Sequence, residues 1–140
     1  MERRREAMIG MAYAMTVRVA GSFPETVARV RDALKDQGFG VLTEIDVQAT
    51  LREKLGEQME DYLILGACNP PLAHRALGID REIGLLLPCN VVVRSDGPGT
   101  TLVQALDPQT MVQITGRPEL KEVADDAAAR LQAALATLGG

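Results

Sequence analysis

The chain has 140 residues, 46% of them hydrophobic and 24% charged, with 15 Lys and Arg against 19 Asp and Glu for a formal net charge of -4. That balance describes a globular domain with an ample core and argues against disorder. An acidic chain with no Trp, two Tyr and two Phe lacks both the basic surface and the stacking platforms of a nucleic-acid binder.

No apolar run approaches the roughly 20 residues that cross a bilayer, so no membrane role is expected. The N-terminus, Met1-Glu2-Arg3-Arg4-Arg5-Glu6, is too acidic and its apolar stretch too short for a signal peptide. A cytoplasmic chain with two reduced thiols is therefore expected. Residues 1–10 read as a flexible, solvated lead-in and residues 11–140 as one domain.

Residues 12–19 alternate, with Tyr13, Met15, Val17 and Val19 on one face, which is the period of a half-buried strand. Ser22 and Glu25 then have the spacing of a capping box. Phe23, Val27, Val30 and Leu34 form one helical stripe that should stop at Gly38. A second strand is expected at Gly40–Ile45. Asp46 caps a short helix through Leu51 and Leu55, closed by Gly56.

The third strand, Asp61–Cys68, is apolar on both faces, as is the fourth, Cys89–Arg94. Between them Asn69 caps a helix of about two turns that opens on Pro70-Pro71 and ends at Gly78. Ser95-Asp96-Gly97-Pro98-Gly99 is a hairpin turn into a fifth strand at Thr100–Leu106. Residues 118–138 form a long helix with Leu120, Val123, Ala127, Leu131, Leu135 and Leu138 on one side.

This order predicts an α+β two-layer sandwich: a mostly antiparallel five-stranded sheet, two long helices on one face, and a helical insert between strands three and four. Two helices cover one face of a sheet. Strands three and four, apolar on both, leave the second face to be covered by the 69–87 segment, a ligand or a second copy. The segment together with a symmetric homodimer contact is the expected solution.

Gly38-Phe39-Gly40-Val41-Leu42-Thr43-Glu44-Ile45-Asp46 resembles a block of the family called domain of unknown function 302. The likeness continues through Leu65-Gly66-Ala67-Cys68-Asn69-Pro70-Pro71-Leu72-Ala73-His74, Leu86-Leu87-Pro88-Cys89-Asn90-Val91-Val92-Val93 and Asp107-Pro108. It covers about residues 14–138. The resemblance implies a β-α-β(4)-α layout similar to the TATA-box-binding-protein fold, often paired as dimers. It implies no particular activity.

The residues that could carry chemistry gather around the insert. Cys68, Asn69, His74, Cys89 and Asn90 are candidates to line a small-ligand pocket, mainly apolar with a few converging polar groups. Cys68 precedes a helix N-terminus, whose dipole favours thiolate, so a thiol-dependent redox or sulfur-handling role with Cys89 resolving is the alternative. Structural thiols, and metal or haem ligation, are the other readings of the pair. The order Cys-x5-His-x14-Cys fits no usual zinc site, and no Ser/His/Asp or Cys/His/Asn set stands at local spacing. Cofactor and substrate, and whether the chain is an enzyme, stay open.

Overall fold

The computed structural model describes residues 13–139. The expected lead-in, residues 1–10, lies outside them. Chain order is β1 (Ala14–Ala20), α1 (Phe23–Asp36), β2 (Gly40–Asp46), α2 (Val47–Leu55), β3 (Tyr62–Cys68), α3 (Pro70–Ile79), a 3-10 segment (Arg81–Leu86), β4 (Cys89–Ser95), β5 (Thr100–Leu106), α4 (Gln109–Thr115), a 3-10 turn (Pro118–Leu120) and α5 (Lys121–Ala136). The strands form one sheet in the order β1-β5-β4-β3-β2, every neighbouring pair antiparallel. This is the α+β sandwich expected from the alternation and the two helical stripes.

Local chemistry sets the helix starts. The Ser22 hydroxyl accepts from the Glu25 amide, Asp46 Oδ1 from Ala49, and Asn69 Oδ1 from Leu72. Each satisfies an amide that a helix N-terminus leaves orphaned. At the end of α1, Gly38 takes φ +84. Its amide bonds the Lys35 carbonyl at 3.0 Å while Phe39 N reaches Leu34 O at 2.9 Å. A residue with a Cβ is strained in that left-handed turn.

The inward faces of the strands carry Met15, Val17 and Val19, then Leu65 and Ala67, Val91 and Val93, Val103 and Ala105. Val30, Ala33 and Leu34 of α1 and Leu131, Ala134 and Leu135 of α5 pack on them. Of the residues read as inward on β1, only Tyr13 stands in solvent, just before the strand begins.

The 69–87 segment does not lie where the sequence placed it. Leu72 and Ala76 of α3 and Ile83 bury against Met111, Leu120, Val123, Ala124 and Ala127. The segment extends the helical layer instead of shielding the other face of the sheet. The physical reason is that α5 has apolar surface left over at its N-terminal half, and α3 completes it. Residues 109–115, to which the sequence analysis assigns no element, form the helix α4, and the final helix begins in a 3-10 turn.

The face turned away from α1 and α5 is mixed. The register places Ile45, Ile64, Val92, Gln104 and Thr16 in one row across β2, β3, β4, β5 and β1. Gln104 Nε2 donates to Thr16 Oγ1 at 3.2 Å, and Arg94 Nε donates to Gln104 Oε1 at 3.2 Å. In the next row Leu102 stands between Arg18 and Arg94 and is only 7% exposed. The apolar surplus is thus a ribbon on β2, β3 and β4, flanked by polar side chains on β4, β5 and β1.

Gly66 sits on that same face, opposite Asn90 and Thr43. A Cβ there would collide with Thr43 Oγ1 and come within 2.9 Å of Pro88 Cγ. Glycine at 66 lets the Pro88 ring close down on β3, which brings the start of β4 alongside Cys68.

Candidate functional site

The site is built at one end of the sheet, where β3 stops and β4 starts. Ala67 pairs with Cys89 across the strands, so Cys68 and Cys89 lie at neighbouring register positions. Between this end and the helical layer is a cavity of about 30 Å³. Its floor is Ala67, Cys68 and Cys89, and Phe39 closes one flank. Leu72, Ala73 and Ala76 come from α3, Met111 from α4, and Val123 and Ala127 from α5. Asn69, Leu87 and Pro88 complete it. Since a water needs about 10–15 Å³ by this measure, there is space for two or three non-hydrogen atoms.

Three of the five candidate residues meet there: Cys68, Asn69 and Cys89. The other two do not. His74 points from the exposed side of α3 into solvent, because Leu72, Ala73 and Ala76 occupy the side that packs. Asn90 is exposed on the opposite face of the sheet, since Cys89 and Val91 on either side of it point inward.

The two thiols differ. Cys68 is half-buried and Cys89 is buried. Burial, then the nearness of Cys68, pushes the Cys89 thiol up to about 11. A buried thiolate has lost its water and gains no cation here, so Cys89 stays protonated at neutral pH. That makes it a small apolar wall with a weak S–H donor rather than a nucleophile. Among the described residues, no group of three His, Cys, Asp or Glu is placed to hold a metal ion.

Asn69 has two roles. Its Oδ1 caps α3 by accepting from Leu72 N at 3.2 Å, and its backbone carbonyl accepts from Ala73 N at 2.9 Å. The residue is 9% exposed. Its Nδ2 packs close against Gly38, only 3.0 Å from where an added Cβ would stand.

Sequence reasoning missed Phe39, Met111, Val123 and Ala127 as lining residues. Met111 had a usable signal: Asp107-Pro108 before Gln109 is a helix start, and Asp107 Oδ1 accepts from Gln109 N at 2.9 Å.

A family model described as domain of unknown function DUF302 matches residues 15–138. A crystal structure of an uncharacterized conserved DUF302 protein from Bacillus stearothermophilus is similar to this one, with a TM-score of 0.85 and 36% identity. The match covers 91% of this chain and 99% of that one. No curated protein matches the chain.

Proposed function

The chain belongs to the DUF302 family, and from that premise we propose that it is a small binding or accessory module whose cleft between the sheet end and the helical layer takes a small, mainly apolar ligand. The observation that carries this reading is the cavity of about 30 Å³, walled by side chains from β3, α3, α4, β4 and α5, with Cys68 and Asn69 among its few polar groups. Pre-formed, apolar, sparsely polar clefts are where small molecules bind. The protonated state of Cys89 favours this over a thiol-exchange role in which Cys89 resolves, because the attacking species there is a thiolate.

Titration with n-butanol, followed through backbone amide chemical shifts, tests it. Shifts should concentrate at Cys68, Asn69, Leu72 and Met111, and Ala73→Leu should remove them by filling the cleft while leaving the melting temperature within a few degrees. Shifts scattered over the surface, or none, would overturn the reading.

We further propose that the module works as a homodimer joined through the open sheet face. Ile45, Ile64 and Val92 form a continuous apolar ribbon there, and Ile45 is 50% exposed. Such a ribbon gains from burial at roughly 25 cal/mol per Å². Light scattering should give twice the chain mass of 15.1 kDa, and Ile64→Glu should give a folded monomer. A wild-type chain that stays monomeric at high micromolar concentration removes this part and leaves the cleft untouched.

A further inference from the structure

Both cysteines of the chain, together with Met111, border the one small cavity at the sheet end. Cys89 pairs with Ala67 across the strands, so Cys89 and Cys68 stand one residue out of register on adjoining strands. With strands about 4.8 Å apart and a rise of about 3.4 Å per residue, their Cα atoms are about 6 Å apart. Cys68 ends β3, where the chain turns into α3 at Pro70, and its charge is felt at Cys89. Neither residue is in a disulfide.

The rest of the wall decides which occupant these sulfur-bearing residues suit. Among the described residues, Asn69 alone of those bordering the cavity has a side-chain nitrogen or oxygen, and its Oδ1 is held by the Leu72 amide. A hard cation, which needs several oxygen ligands, finds none here. Zn²⁺ takes four ligands in a tetrahedron, and no group of three His, Cys, Asp or Glu is placed for it among the described residues. Cu(I) is a soft ion selected by thiolate and thioether ligands, and two thiolates satisfy it. The apolar wall also keeps water away, which guards Cu(I) against oxidation. A Cu(I) bis-thiolate carries one negative charge, and the positive end of the ten-residue helix α3 begins beside Cys68.

We propose that Cys68 and Cys89, with Met111 beside them, form a soft-metal site that binds one Cu(I) ion at the end of the sheet. Two Cu–S bonds form as each thiol gives up its proton: Cu(I) and two thiols become a bis-thiolate complex and two protons, and no electron moves. The inference goes beyond the small-ligand reading and does not rest on it. The cavity is shared and the occupant differs.

An anaerobic titration with Cu(I), in competition with the chelator bicinchoninate, tests it. The wild-type chain should take up one Cu(I). Cys68→Ala and Cys89→Ala should each weaken retention by about a hundredfold or more, the upper end of what even a supporting residue around a metal costs. Met111→Leu should weaken it several-fold. X-ray absorption of the loaded wild-type protein should show two or three sulfur neighbours and no nitrogen or oxygen, a readout that holds whether or not the alanine variants fold. No Cu(I) kept against the chelator, an ion with nitrogen or oxygen neighbours, or equal retention in the wild type and a folded Cys89→Ala overturns the site. Amide shifts from n-butanol without copper retention overturn the copper site and leave the small-ligand reading standing. Copper retention without n-butanol shifts does the reverse.

Discussion

Replacing Leu131 with alanine should lower the unfolding free energy by about 3–5 kcal/mol, read as a fall in the urea midpoint at unchanged slope. Leu131 is fully buried on α5, in the cluster that joins this helix to the inward faces of β3, β4 and β5 and to α1. Truncation removes its transfer free energy and leaves a void that a five-stranded sheet collapses into poorly. Against a typical domain stability of about 5–15 kcal/mol, that loss is a fifth or more. A loss under about 1 kcal/mol would mean that α5 is not docked on the sheet as described.

The second large effect lies at alkaline pH. The Cys89 thiol is raised in the folded chain from 9.0 to about 11. Below pH 9 both folded and unfolded chains hold this proton. Between 9 and 11 the unfolded chain loses it first, so stability falls as pH rises through that window. Two pKa units correspond to about 3 kcal/mol. The expected loss from this one group is of that order between pH 8.5 and 11, and Cys89→Ala should remove it. Other alkaline groups contribute in both proteins, so the difference between the two stability curves isolates the thiol. Parallel curves would show that Cys89 is hydrated or paired, and its place in the cavity wall would be wrong.

What was legible in the sequence follows the range of the forces involved. The caps at Ser22, Asp46 and Asn69 act over three residues, and all three formed where the spacing placed them. The α5 stripe from Leu120 to Leu138 is buried at every position read, because a 3.6-residue period over five turns is a strong signal. The α4 helix is seven residues long with one buried side chain, too short to show a period.

The side of the sheet that α3 takes was not legible. It is decided by Leu72, Ala76 and Ile83 meeting Val123 and Ala124, residues some 40–50 positions apart in sequence. The likeness of His74 to a site residue rested on sequence nearness alone, and helix rotation turns it outward. Asn90 could have been placed correctly. Once Cys89 and Val91 are inward, the pleat sends Asn90 to the other face.

A crystal of the protein soaked in n-butanol gives the most direct view of the cleft. The alcohol should be seen with its last two or three carbons between Leu72 and Met111, beside Cys89, and its hydroxyl end at the mouth. Butanol found only on the outer surface, with side chains filling the space beside Cys89, would contradict the binding role.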